Sequence, residues 1–203
     1  MSLHSWSLLA AVAALLAGHL AVEARGPPWL RAATKVGASL AFVGLALSLG
    51  IDGAFDRWVL GGLGLSVVGD ALLLSGRRPF FLAGLVAFLL AHLAYAVAFA
   101  MAASPPAWAA PPIAVALGLV LRWLWPHLGT MKGPVAAYCL VISAMLLLAL
   151  GVPRTEVRLG ALLFYLSDLF VARNRFVRSQ PVNRRVGLPA YYAGQVLIAL
   201  AVG

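Results

Sequence analysis

The chain has 203 residues, of which 63% are apolar and only 10% are charged, against about 25% charged in a typical soluble domain. Its 15 Lys and Arg and 6 Asp and Glu give a formal charge of +9. So few charges cannot cover a soluble globule of this size, which excludes a disordered chain, a coiled coil and a soluble enzyme.

What remains is an all-α polytopic membrane protein, a helical bundle of about eight transmembrane helices that forms a single integral membrane domain over residues 1–203. A spanning helix needs about 20 mostly apolar residues. Eight stretches qualify, at 3–22, 32–50, 58–75, 79–102, 107–124, 133–152, 157–172 and 188–202. The first has no basic leader, and Glu23-Ala24-Arg25 is a poor cleavage site, so it reads as a helix and not a signal peptide. Gly61-Gly62-Leu63-Gly64 in the third reads as close helix packing. The fifth opens on Pro111-Pro112, which a first helical turn tolerates. The seventh is short and carries an aspartate, and residues 173–185 form the longest polar connection. One cysteine, Cys139, allows no intrachain disulfide.

Twelve of the 15 basic residues fall in or beside the connections 1–2, 3–4, 5–6 and 7–8, and only Arg57, Arg154 and Arg158 fall on the other side. Under the positive-inside rule the basic loops face the cytoplasm and both termini face outward, as in a bacterial inner-membrane protein. The same rule accounts for the net charge, so no nucleic-acid partner is expected.

An ionisable side chain inside a membrane segment is costly and points to function. Asp70 lies seven residues before Arg77, about 10 Å below the basic loop at the helical rise. Asp168 lies five residues before Arg173, roughly 7–8 Å below it. The two carboxylates therefore share a depth. Ser66, Ser167, Lys35, Tyr191, Tyr192, Gln195 and Asn174 fall near the same layer, which predicts a polar cavity opening toward the basic side. Bland alternatives stand beside this: structural salt bridges for the aspartates, interhelical hydrogen bonds for Gln195 and the serines, and belt aromatics for the two tyrosines. His92 and Tyr95, three residues apart, form a tempting pair, but His92 lies about 20 Å from the basic loop and reads better as a packed core histidine. Glu23, Asp52 and Asp56 read as solvated. There is no HExxH, CxxC, G-x-S-x-G or Walker sequence, so neither a metal nor another cofactor is expected.

Several segments carry a resemblance. Gly69-Asp70 is followed by Gly84-Leu85-Val86-Ala87-Phe88 with His92 and Tyr95, then Phe164-Tyr165-Leu166-Ser167-Asp168, Asn174-Arg175-Phe176 and Tyr191-Tyr192-Ala193-Gly194-Gln195. This order resembles the YhhN-like family of integral membrane lysoplasmalogenases. Lys35 is followed by Val36, where that family's pattern has proline. The resemblance implies a helical membrane fold of about eight spans. It also implies hydrolysis of the vinyl ether bond of lysoplasmalogens, releasing a fatty aldehyde and a glycerophospho-ethanolamine or -choline.

That chemistry needs an acid to protonate the vinyl β-carbon, an anion beside the oxocarbenium ion and a positioned water, as in glycoside hydrolysis. Asp70 and Asp168 are the expected catalytic pair. One is the acid and the other the anion and water-positioning base; the sequence does not say which, although the more apolar run around Asp70 favours it as the acid and Arg173 favours Asp168 as the anion. Ser66, Ser167, Tyr191, Tyr192, Gln195, His92 and Tyr95 are expected to line the substrate site, with Lys35, Arg175 and Asn174 on the phosphate. The expected partners are a lysophospholipid substrate and membrane lipid. A transporter using the same aspartates is the alternative, although the chain shows no internal repeat. A structural or assembly protein is a second rival.

Overall fold

A computed structural model describes residues 2–203. The described residues form eight α-helices: α1 (Leu3–Val22), α2 (Pro28–Leu49), α3 (Ala54–Leu73), α4 (Arg78–Ala102), α5 (Ala110–Leu124), α6 (Lys132–Gly151), α7 (Thr155–Ala172) and α8 (Pro181–Leu200). The fold is the expected all-α membrane bundle. Five segments, α1, α2, α4, α5 with its flanking 3-10 turns, and α6, are long and apolar enough to span a bilayer. Helices α3, α7 and α8 have 18–20 residues, a comparable length, but are less apolar because they carry the polar groups described below.

Helix starts depart from the apolar pattern for local reasons. Helix α2 begins at Pro28 and α8 at Pro181, where proline's fixed φ and missing N–H suit a first turn. Helix α8 then runs on through Pro189, so the seventh connection is far shorter than expected. Residues Arg173–Val177 extend α7 as a π-helical turn, which leaves three residues before α8. Helix α3 begins at Ala54 because the Asp56 carboxylate accepts the backbone N–H groups of Asp52 and Gly53, each at 3.1 Å. Asp56 is therefore a buried helix-start residue and is not solvated.

Helices α2, α3, α4, α6, α7 and α8 pack in a closed ring in which α8 returns to α2. Helix α1 lies across α2 and α8, and α5 lies outside against α6. The core inside the ring is aromatic: Phe42, Phe88, Tyr95, Phe99, Phe164, Tyr191 and Tyr192 are all buried. Outward faces remain apolar, with Leu40, Leu47, Val86, Leu90, Met101, Val115, Leu119 and Leu140 exposed, as a lipid-facing surface requires. All six tryptophans are exposed near helix ends. Trp6, Trp58 and Trp108 lie at one end of the bundle and Trp29, Trp123 and Trp125 at the other. Two belts of indoles at opposite ends match the two interfaces of a bilayer.

Close helix packing falls elsewhere than Gly61-Gly62-Leu63-Gly64 suggests. Of these glycines only Gly62 meets a neighbour, the Tyr95 ring, whereas Gly61 and Gly64 face open space. Close backbone approach between two helices joins α7 to α8, where a methyl at Gly194 would lie 2.8 Å from the Gly160 carbonyl oxygen. Gly194→Ala is expected to cost about 1–3 kcal/mol through overpacking, read as a lower unfolding midpoint in detergent. Gly64→Ala is expected to leave that midpoint unchanged.

Candidate active site

Asp70 sits in the last turns of α3, facing α2 and α8. Its Oδ1 lies 3.1 Å from Lys35 Nζ. Its Oδ2 accepts hydrogen bonds from Ser39 Oγ at 2.7 Å and Tyr191 OH at 2.6 Å. Lys35 and Ser39 are one turn apart on α2, which puts both on one face. Tyr192 OH donates to the Lys35 carbonyl at 2.9 Å, so the adjacent tyrosines of α8 hold the acid and the base of one ion pair. Both charges are buried, and a buried pair is tolerable only when its remaining hydrogen-bonding positions are filled.

Asp168, late in α7, has different company. Its Oδ2 accepts from Tyr138 OH of α6 at 2.6 Å, and the one basic side chain near it is His92, whose Nε2 is 3.8 Å away. Arg173 is turned aside and donates to Asn183 and Gln180, so its proximity in sequence brings no charge to Asp168. His92 is fully buried, and its Nδ1 lies 2.6 Å from the Phe88 carbonyl. A carbonyl only accepts, so Nδ1 carries a hydrogen; Nε2 then presents a lone pair in the neutral ring and a second N–H toward Asp168 in the protonated one. Among the described residues that nitrogen has no hydrogen-bond partner. The Phe164 ring packs on both His92 and Tyr191, with centroids 4.5 and 5.2 Å apart. One aromatic side chain thus separates the partners of the two aspartates.

Both carboxylates line a single cavity of about 930 Å³ to which all eight helices contribute. This is at the upper end of the roughly 300–1,000 Å³ range of ligand pockets. Leu85, Phe88, Val120, Leu124 and Ile142 give it apolar walls, and Glu23, Arg31, Arg175 and Arg184 line it at the end where the basic loops lie. Lys35, Ser167, Asn174, Arg175 and Tyr191 reach it as the sequence suggested.

Ser66, His92, Tyr95, Tyr192 and Gln195 do not line the cavity but pack behind its wall. Ser66 bonds the Gly62 carbonyl at 2.9 Å, and Tyr95 OH donates to Gln195 Oε1 at 2.7 Å. Ser167 bonds back to the Phe164 carbonyl at 2.7 Å. Asn174 is occupied as well: its Oδ1 accepts from Asn183 Nδ2 at 3.2 Å and from Gln180 N at 3.3 Å, which ties the π-helical turn to α8. The Arg175 guanidinium lies over the Phe81 ring at 4.2 Å. Glu23 is not simply solvated but pairs with Arg184 at 3.1 Å.

Ser39 and Tyr138 were not singled out by the sequence. Ser39 was findable, since it lies one turn from Lys35. Tyr138 carries only a faint signal, as the single tyrosine of the sixth apolar segment.

The sequence matches the YhhN family over residues 30–202. It is 36% identical over 176 residues to lysoplasmalogenase TMEM86B of Sus scrofa, covering 87% of this chain and 76% of that protein. It is 32% identical over 190 residues to a lysoplasmalogenase of Mycobacterium bovis, covering 87% and 71% respectively. It is 29% identical over 204 residues to the uncharacterized membrane protein YhhN of Escherichia coli, covering 95% and 96%. No solved structure matches.

The Lys35–Asp70 pair carries its own test. Lys35→Met leaves the Asp70 carboxylate buried without a cation, a loss of about 3–5 kcal/mol. The thermal unfolding midpoint in detergent is expected to fall sharply, and the double variant Lys35→Met, Asp70→Leu to recover most of the loss.

Proposed function

The chain belongs to the YhhN family, and on that premise we propose that it is a lysoplasmalogenase whose two intramembrane aspartates cleave the vinyl ether bond by acid–base chemistry. The observation that carries this reading is the pair itself: Asp70 and Asp168 line one mostly apolar cavity but have unlike surroundings. Two carboxyl groups held apart in character are what a reaction through an oxocarbenium ion requires.

The roles follow the charges nearby. Asp70, with an ammonium and two hydroxyl donors, is the lasting anion. Asp168, with no Lys or Arg paired to it, is the proton donor. This reverses the assignment that the apolar run around Asp70 suggested. Proximity in sequence misled there, because Arg173 is spent on α8 and Lys35 reaches Asp70 from another helix.

Asp168 gives its proton to the β-carbon of the alkenyl chain, and the π electrons move to leave an oxocarbenium ion beside Asp70. Water adds to the α-carbon and returns a proton to Asp168. The hemiacetal so formed then collapses to a fatty aldehyde and a glycerophospho-alcohol, its hydroxyl proton passing to the departing oxygen. Tyr191, bound to Asp70 and exposed to the cavity, orients the water. His92 acts from behind the wall, with its Nε2 lone pair facing Asp168. The apolar walls take the alkenyl chain. The cavity mouth faces the cytoplasmic leaflet, by the bias of Lys and Arg toward that end.

The test is aldehyde release from lysoplasmalogen by detergent-purified protein. Wild type is expected to release aldehyde, and Asp70→Asn and Asp168→Asn to lose at least about 10²-fold in kcat, the scale of general acid–base catalysis, while retaining a folded transition. Folded wild type that yields no aldehyde overturns the reading and leaves a carrier of amphiphiles as the better account. Near-normal turnover by both variants overturns the roles of the aspartates alone.

A further inference from the structure

Glu23 stands out against its surroundings. Twelve of the 15 basic residues lie at the cavity-mouth end of the bundle, whereas Asp52, Asp56 and Glu156 lie at the other end. Apart from the two intramembrane aspartates, Glu23 is the acidic residue lining the cavity. It sits at the end of α1 and pairs with Arg184 of α8 at 3.1 Å, with the arginine side chain 54% exposed. The glutamate side chain is 20% exposed, so the carboxylate is held at the cavity while solvent screens the pair on its arginine side.

Arg31 supplies an independent observation. It lines the same cavity, and its Nε is buried with no hydrogen-bond partner. That N–H is sealed from solvent, and among the described residues no acceptor or carboxylate engages the rest of the Arg31 guanidinium, so its charge is uncommitted where the side chain lines the cavity. Arg31 lies one turn before Lys35, about 6 Å nearer the mouth at the helical rise. Arg184 lies two turns before Tyr191, about 10 Å nearer. The mouth therefore offers two guanidinium groups and one carboxylate, the guanidinium groups roughly 6–10 Å along their helices from the partners of Asp70.

We propose that Glu23, Arg31 and Arg184 form a headgroup subsite selecting zwitterionic lysolipids, with the phosphate on Arg31 and Arg184 and the ammonium on Glu23. Binding opens the Glu23–Arg184 pair, and each partner takes the headgroup charge opposite to its own. An anionic headgroup such as phosphoglycerol satisfies the arginines but leaves Glu23 facing no cation. The subsite deepens the proposed lysoplasmalogenase reading and rests on its choice of cavity, but not on the roles of the aspartates.

Two assays separate the proposals. In the first, purified full-length protein is given alkenyl lysolipids with one chain and either a phosphoethanolamine or a phosphoglycerol headgroup. Wild type is expected to favour phosphoethanolamine at least tenfold in kcat/KM, about one factor of ten per 1.4 kcal/mol. Glu23→Gln is expected to lose most of that preference through KM, and Glu23→Lys to reverse it. Arg184→Gln is expected to raise KM for both lipids.

The second assay measures binding of the saturated-ether analogue, 1-O-alkyl-glycerophosphoethanolamine, by tryptophan fluorescence, with soluble glycerophosphoethanolamine as competitor. Binding of the analogue that is weakened by Glu23→Gln supports the subsite even if no aldehyde forms, an outcome that would remove the enzymatic reading alone. Tight binding of the soluble compound in place of the lipid would overturn the lipid source. Active, folded Glu23→Gln and Glu23→Lys with the wild-type headgroup preference would overturn the subsite and leave the catalytic reading standing.

Discussion

The Lys35–Asp70 ion pair is the constraint around which the bundle is arranged. Neither charge can be left alone away from water, since an unpaired ion in such a setting costs several kcal/mol. Lys35 comes from α2 and Asp70 from α3, and the hydroxyls that complete the pair come from Ser39 of α2 and Tyr191 of α8. Meeting the electrostatic demand therefore fixes three helices relative to one another. It also closes the ring, because Tyr192 reaches the Lys35 carbonyl and draws α8 onto α2. Glycine contacts between α7 and α8 then bring Asp168 to the opposite wall of the same space.

The second carboxylate is made different by what it lacks. Its hydrogen-bond donor is a phenol, and its nearest base is an imidazole whose hydrogen is committed to the Phe88 carbonyl. The nitrogen left over has no donor of its own and faces Asp168. A protonated carboxyl group beside neutral His92, or an imidazolium beside the carboxylate, is what would satisfy it. The two aspartates thus share a cavity with opposite electrostatic surroundings, and the Phe164 ring keeps their partners apart. The proposed division of labour between anion and acid rests on this contrast.

The bundle is also polar along its axis. Basic side chains, the π-helical turn and the cavity mouth gather at one end, while the buried helix-start aspartate, Asp56, lies at the other. Tryptophan belts mark both ends, so the depth of the site beneath one interface is fixed by the same residues that seat the protein in lipid. A cavity with apolar walls and a charged mouth at one leaflet suits an amphiphile that enters from that leaflet. The energetic logic is that chain and headgroup each meet a surface of their own kind.

Composition and periodicity alone determined that this chain is a bundle of about eight membrane helices, because lipid demands long apolar runs with internally satisfied backbones, and each such run is local in sequence. Depth was legible only in part: counting residues from Arg77 and Arg173 put Asp70 and Asp168 near one layer, and both line one cavity. The same count put His92 far deeper, whereas its Nε2 lies 3.8 Å from Asp168, because a residue count ignores helix tilt and the level at which each helix starts. The motifs around them showed the family. What a residue touches was not legible. Lys35 and Asp70 are 35 positions apart and meet where α2 packs against α3; Arg173 is five positions from Asp168 and turns away. Tyr138 came from a segment without a motif. Tyr95 and Gln195 lie at motif positions yet bond to each other behind the wall. The direction a side chain faces depends on helix rotation and on the partner helix, which only the tertiary structure decides, because helices far apart in sequence settle side by side to bury charges that none can satisfy alone.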